Sequence, residues 1–325
     1  MFKLFQSWGE SMLEKLGVTL VKIDLPFRLN HVNCFLAEGQ EGWTVIDAGL
    51  HRPETKNYWQ EVLADKDVKN IYVTHYHPDH FGFVGQLQKE TGAHVSMSKV
   101  EADTALQAWE KPSLDALANH YAICNVPTKE AIEMADNTAE FVPFVTPYPT
   151  INHYFQIGEK VKIGRLEYEV MLAPGHSDGM VAFFNGEESV LFSADHILPK
   201  ITPNISYWFH GDPNPLRTYL QSLEQYEKLN IGYVIPSHGL PFENGSKRII
   251  EIRNHHDERL NTLLSIIKDK HSVYEACIDL FNFTLTVHEL RFALGETAAH
   301  LEYLESIGEC RKEIQDGKWL YFPNF

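Results

Sequence analysis

Three imidazoles and a carboxylate fall within the stretch His75-Tyr76-His77-Pro78-Asp79-His80, directly after the β-branched and aromatic run Ile71-Tyr72-Val73-Thr74. Neutral imidazole nitrogen and carboxylate oxygen are donors that zinc and similar borderline ions take. A buried strand that opens into a donor-dense loop presents them from a rigid support. In extended backbone, residues two apart point the same way, so His75 and His77 can grip one ion. His80, which opens the next helix, can face a second ion together with Asp79. The alternative is a polar loop that is merely rich in histidine. Further donors downstream, in the order a two-metal site needs, argue against it.

Four further residues sit where apolar strands hand over to loops. His176 follows Met171-Leu172-Ala173-Pro174-Gly175, and Asp195 follows Val190-Leu191-Phe192-Ser193-Ala194. His238 follows Val234-Ile235-Pro236-Ser237, and Asp47 follows Val45-Ile46. Glycines beside several of them permit close approach of the backbone. Taken singly, a strand-end Asp is usually a turn former or helix cap, and a lone His is usually a satisfied surface or core group. Taken with the histidine loop, the bland reading needs a series of coincidences in fixed order. Ser177 and Ser237 adjoin these positions and fit hydrogen-bonding roles in the turns better than that of a nucleophile.

The series Asp47, His75-x-His77-x-Asp79-His80, His176, Asp195, His238 resembles the five ordered motifs of the metallo-β-lactamase superfamily, over roughly residues 18–245. The resemblance implies an α/β fold, the αββα sandwich, with its site at one rim of two sheets. It implies that one ion takes His75, His77 and His176 and the other Asp79, His80 and His238, with Asp195 bridging both. Asp47 would lie outside the ligand set and steady the histidine loop through hydrogen bonds. Asp79 and Asp195 are then the carboxylates closest to the chemistry. Two zinc ions are the expected cofactors, and iron or manganese suits the same donors. Such a pair lowers the pKa of a shared water towards neutrality, so that hydroxide attacks a carbonyl or phosphoryl centre.

Departures from the pattern narrow the group. The bridging Asp195 argues against a true β-lactamase, and His77 stands where flavodiiron proteins carry Glu. The long inserted domain of RNA-processing relatives is missing. What remains resembles glyoxalase II, lactonases and the β-lactamase-like proteins with a winged-helix tail. The expected activity is hydrolysis of an ester, thioester or lactone. The alternatives are a metal-dependent endoribonuclease or phosphodiesterase, an iron-dependent persulfide dioxygenase, and a non-catalytic regulator whose metals are structural.

A chain of 325 residues, 44% apolar and 22% charged, suffices for one large α/β domain and a small appendage. Its 44 acidic against 28 basic side chains give a net charge of −16. That balance does not favour nucleic acid or anionic membranes. A small-molecule substrate is the expected partner, with a homodimer through the C-terminal part as a further option. Cys34, Cys124, Cys277 and Cys310 lie far apart with no CxxC pair, so they read as buried residues of a reducing compartment. The start Met1–Glu10 lacks the apolar core of a leader. No run approaches the ~18 apolar residues of a membrane span. The expected location is cytoplasmic.

Strands are predicted within 18–48, at 71–74, 95–97, 161–172, 181–185, 189–193 and 233–235, with helices near 54–65, 82–91 and 215–228. A helical insertion at about 99–150 interrupts them, and its helices are expected to lie over one sheet edge. Its aromatics Phe141, Phe144, Tyr148, Tyr154 and Phe155 either line an apolar pocket or form the insertion's own core. The stretch Leu198–Trp208 is too apolar for a casual loop, and Tyr207 and Trp208 are candidate substrate-lining residues. His196 should point away from its neighbour Asp195. A catalytic domain is expected over 1–246 and a small winged-helix-like domain over 247–325. The latter reads as a long helix at 247–270, helices Ser272–Leu280, Val287–Leu294 and Glu296–Ile307, and a hairpin turning at Asp316-Gly317. Its last helix carries three acids and no Lys or Arg between Glu296 and Glu305, which fits packing or dimer contact better than DNA.

Overall fold

The computed structural model describes residues 12–324; the start read above for a leader, Met1–Glu10, lies outside them. Runs of β-branched and aromatic residues form β1 (Val18–Asp24), β2 (His31–Gly39) and β3 (Gly42–Ile46), which pair antiparallel with Val21 opposite Cys34 and Phe35 opposite Ile46. β4 (Val68–Tyr72), β5 (His94–Met97) and β6 (Ile151–Tyr154) then add in parallel, completing a six-stranded sheet in sequence order. Parallel pairing needs crossovers. α1 (Pro53–Val62) supplies the first, and α2 (Pro78–Phe81) with α3 (Val84–Thr91) the second.

The second sheet also has six strands: β7 (Lys160–Ile163), β8 (Leu166–Leu172), β9 (Val181–Asn185), β10 (Val190–Ala194), β11 (Tyr233–Pro236) and β12 (Phe242–Glu243). The run predicted as one strand over 161–172 is a hairpin, because Gly164 turns at φ 61°. Only β10 and β11 pair in parallel, across α8 (Pro215–Glu227). Phe35, Ile46 and Tyr72 of the first sheet pack with Tyr168, Phe183, Phe192 and Ile235 of the second. The Phe35 and Phe192 rings meet edge-on at 5.3 Å. Burying each such ring contributes about 2–3 kcal/mol. Helices close both outer faces, with Trp59 of α1 against the first sheet and Tyr219 and Leu223 of α8 against the second.

The insertion comprises α4 (Lys99–Gln107), α5 (Lys111–Ile123), α6 (Thr128–Ala139) and α7 (Val142–Val145). The chain leaving it passes so close to α3 that a Cβ on Gly85 would lie 1.8 Å from the Pro147 carbonyl oxygen. Gly85→Ala is therefore expected to cost about 3 kcal/mol, read as a lower denaturation midpoint at unchanged m-value.

The C-terminal part is α9 (Gly245–Ile266), β13 (His271–Ser272), α10 (Val273–Phe281), α11 (Val287–Ser306), β14 (Cys310–Gln315) and β15 (Lys318–Pro323), with a sheet in the order β13-β15-β14. One expectation fails here. The helices predicted at Val287–Leu294 and Glu296–Ile307 are a single helix running through Gly295. A mid-helix glycine costs about 1 kcal/mol, but here it serves packing, since a Cβ would meet Ser206 Oγ at 2.7 Å. A capping box between Thr286 and Glu289 starts this helix. Leu290, Leu294, Ala298 and Leu301 of α11 join one apolar cluster with Tyr121 and Met134 of the insertion and Leu191 and Val234 of the second sheet. The four cysteines are buried and free. Among the described residues no helix is long and apolar enough to cross a membrane.

Candidate metal centre

The donors gather at one rim, where β3, β4, β10 and β11 end and the turn after β8 returns. Asp47 leaves β3 in the left-handed region at φ 57°, and Ala194 leaves β10 at φ 47°. Such backbone costs on the order of 1 kcal/mol or more outside glycine and collects at functional sites. Its effect here is to turn Asp47 beneath the histidine loop and Asp195 into the rim. Gly175, at φ 122°, lets the turn before His176 pass over Tyr219, where a Cβ would lie 2.4 Å from that residue's own Cβ.

Asp47 is buried beneath the loop. Its Oδ1 accepts the Thr74 amide at 2.9 Å, and its Oδ2 accepts the Thr74 hydroxyl at 2.8 Å and pairs with His80 Nδ1 at 2.9 Å. With Nδ1 so engaged, His80 presents Nε2 to the rim. His176 Nδ1 lies 2.7 Å from the Asn204 carbonyl oxygen, and His238 Nδ1 lies 2.6 Å from that of His31. Both rings are thereby aimed with Nε2 inward. Asp47→Ala removes three of these contacts and is expected to weaken metal binding roughly 10- to 100-fold in a competition titration with a chromogenic chelator.

Three groups of donors result: His75 with His77 and His176, His75 with His80 and Asp195, and Asp79 with His80 and His238. His80 Nε2 and His238 Nε2 stand 3.6 and 3.5 Å from Asp79 Oδ2. Asp195 lies between the groups, with Oδ1 3.7 Å from His80 Nε2 and Oδ2 3.4 Å from both His176 Nε2 and His238 Nε2. Donors at ~2.1 Å from a tetrahedral ion stand about 3.4 Å apart, so this spacing fits metal coordination. His75 Nε2, His80 Nε2, His238 Nε2 and Asp195 Oδ1 are buried with no hydrogen-bond partner. Buried polar atoms left without partners are costly, and shared cations would satisfy all four.

The electrostatics agree. Burial, and then the neighbouring His80, His77 and His176, hold His75 well below its ordinary pKa. Burial alone would lower His80, but the carboxylates of Asp79, Asp195 and Asp47 raise it to about 10. Burial works against ionising Asp195, yet His238 and His80 hold it well below the usual carboxylate range. Positive charge is stabilised at the Asp195 end and neutral imidazole at the His75 end.

Trp208 faces the site, its ring 5.8 Å from His77, and lines a cavity of about 710 Å³ together with His77, Asp79, His176, Asp195 and His238. Tyr207, expected beside it, is not among the cavity's lining residues. It turns the other way onto Phe209 and Trp319, because neighbours in extended backbone face opposite sides. His196 also faces away, its Nε2 3.1 Å from Ser222 Oγ. Of the insertion's aromatics, Phe141 lines the cavity, while Phe155 packs between the sheets and Tyr154 is exposed.

The sequence gives no sign of Glu101. It is 1% exposed on α4, its Oε2 accepting the Tyr76 amide at 2.8 Å and its Oε1 the Gly179 amide at 2.7 Å. It therefore ties the histidine loop to the loop that carries His176. Burial pushes its carboxyl up to about 7 against these hydrogen bonds. Asn33 is a second cross-sheet tie, its Nδ2 donating to the Pro236 and Gly239 carbonyls beside His238.

Comparison with known proteins follows the same outline. The model of the Metallo-beta-lactamase superfamily matches residues 28–238, and that of the Metallo-beta-lactamase-like, C-terminal domain matches residues 260–324. A probable metallo-hydrolase, YqjP of Bacillus subtilis, is 24% identical over 94% of this chain and 97% of its own length. A hydroxyacylglutathione hydrolase of Ectopseudomonas mendocina is 23% identical over 55% of this chain and 50% of its own. The crystal structure of a beta-lactamase domain protein from Burkholderia ambifaria superimposes with a TM-score of 0.84 at 30% identity, covering 94% of this chain and 92% of that one.

Proposed function

We propose that this chain, which belongs to the metallo-β-lactamase superfamily, is a two-metal hydrolase of ester, thioester or lactone substrates. The observation that carries this reading is the placement of Asp195 between two donor groups, within 3.4–3.7 Å of His80, His176 and His238. A carboxylate set between two ligand groups suits a shared pair of ions. His75, His77 and His176 would hold one, and Asp79, His80 and His238 the other. We assign zinc, with iron or manganese as the outcomes a metal analysis must distinguish. When bound, such a pair supplies a hydroxide nucleophile at neutral pH and polarises the carbonyl under attack.

The chain's own residues do the rest. The Asp47, Asn204 and His31 acceptors fix the imidazole orientations. Asp79 is the more exposed carboxylate, its side chain 20% accessible against 8% for Asp195, and we assign it the proton released by the attacking water and its transfer to the departing oxygen or sulfur. The largely apolar walls exclude water around the scissile bond. Relatives named as a metallo-hydrolase and a hydroxyacylglutathione hydrolase support the reaction class. Arg28 and Arg291 are the cations among the described residues lining the cavity, which suits a small acyl compound better than a phosphate backbone.

The C-terminal part, which we set from residue 247 and read as winged-helix-like, forms one wall of the cavity through Phe281, Phe283, His288 and Phe292. The test is a screen of metal-reconstituted protein against thioesters, lactones, phosphodiesters and RNA, with metal analysis alongside. About two ions per chain and turnover of thioester or lactone are expected. Turnover of RNA alone, or a single tightly held iron without zinc, would overturn the reading. Chelation should abolish the activity, and readdition of the metal should restore it.

A further inference from the structure

Among the described residues Arg291 is a buried cation without an acidic partner. It lies on α11 and is 8% exposed, in the wall of the cavity that holds the candidate ligands. Its Nη1 donates to Asn137 Oδ1 at 3.0 Å, and its Nε has no hydrogen-bond partner. The guanidinium carbon lies 5.6 Å from the ring centre of Phe141 and 5.7 Å from that of Phe292. The acids that flank it on α11 are directed elsewhere, Glu289 to Arg28 and Glu296 to Arg259, each at 3.5 Å. Taking a guanidinium out of water is costly unless an anion answers it. Burial pulls its pKa down, and the groups that oppose this are the hydroxyls of Tyr121 and Tyr76.

The wall between this cation and the donors is apolar. Phe292 meets Trp208 at 6.0 Å, and Trp208 meets His77 at 5.8 Å. The second cation lining the cavity, Arg28, has a side chain 83% exposed at the rim and is paired with Glu289. His288 beside Arg291 is held neutral, its pKa lowered to about 4 by burial and by Arg291. With Glu289 and Glu296 turned to Arg28 and Arg259, Arg291 is the buried guanidinium left in the lining to meet a single negative charge. A guanidinium's planar fork of N–H donors matches a carboxylate.

We propose that Arg291 recognises a carboxylate at the far end of the substrate, so that the compounds hydrolysed are esters or thioesters whose acyl chain ends in an acid. The scissile bond rests on the hydrolase reading above; the anion site does not. The test compares two thioesters of equal chain length, one ending in a carboxylate and the other in a carboxamide, on metal-loaded full-length protein. Wild type should favour the acid roughly 10- to 100-fold in kcat/KM, as expected for a charge-assisted hydrogen bond. Arg291→Met should bring that ratio close to one, and Arg291→Lys should restore part of it. A ratio that Arg291→Met leaves unchanged, or a wild-type preference for the amide, overturns the proposal. If wild type cleaves neither compound, calorimetry with octanoate and octanamide decides the anion site independently of the hydrolase reading. Octanoate should then lose affinity in Arg291→Met while octanamide does not. Equal octanoate affinity in both proteins overturns the proposal, because a carboxylate bound at the metals would not depend on Arg291.

Discussion

Asp195→Ala is expected to lower kcat/KM on the order of 10³-fold or more while the protein stays folded. Asp195 is 6% exposed, and His80, His176 and His238 stand within 3.4–3.7 Å of its two oxygens. Removing it takes the shared donor from both groups at once, so metal content should fall as well as activity. Stability of the metal-free protein should fall, because His238 and His80 hold Asp195 ionised and lose their counter-charge when it is removed. Asp195→Asn keeps the shape and loses the charge, and should match Ala in activity more closely than wild type. Full activity and full metal content in Asp195→Ala would remove Asp195 from the centre and with it the two-metal reading.

Glu101→Ala should cost about 2–5 kcal/mol of stability, because it leaves the Tyr76 and Gly179 amides buried without acceptors. The effect reaches the chemistry through the backbone. Tyr76 lies between His75 and His77, and Gly179 lies in the loop that begins at His176. Loss of the shared carboxylate should loosen both sides of one donor group together. Glu101→Gln keeps one acceptor and sets an amide N–H2 against the other donor, so it recovers only part of the stability. Denaturant titration checks the first effect, and metal affinity by chelator competition the second. A Glu101→Ala protein as stable as wild type would show that water replaces the carboxylate in both bonds.

The two predictions differ in how visible their residues are. Asp195 is legible because its cue is local: an apolar strand ending in a carboxylate, in a fixed order with other strand ends. Glu101 reads as an ordinary acid in the first turn of a helix. Its partners lie 25 and 78 residues away, and both are backbone amides that no residue type announces. The carbonyls of His31 and Asn204 that orient His238 and His176 are hidden for the same reason. Gly295 misled in the opposite direction. Composition marks it as a break, yet it is a contact point for Ser206 inside one continuous helix. Tyr207 and Trp208 were equally plausible wall residues, and only the direction of each side chain separates them.

The sequence by itself determined the candidate donors and their order along the chain, and the sandwich followed from the family resemblance those donors carry. Strand periodicity and donor chemistry act over a few residues, and a chain carries that information without knowing its own fold. Tertiary structure alone decided which distant groups hold the donors in place and what surrounds them. The cavity is closed by Arg28 from the β1–β2 connection, Phe141 from the insertion and Arg291 from α11. A buried guanidinium becomes a recognition group only when its neighbours on every side are known. Those neighbours come from packing between segments far apart in the chain.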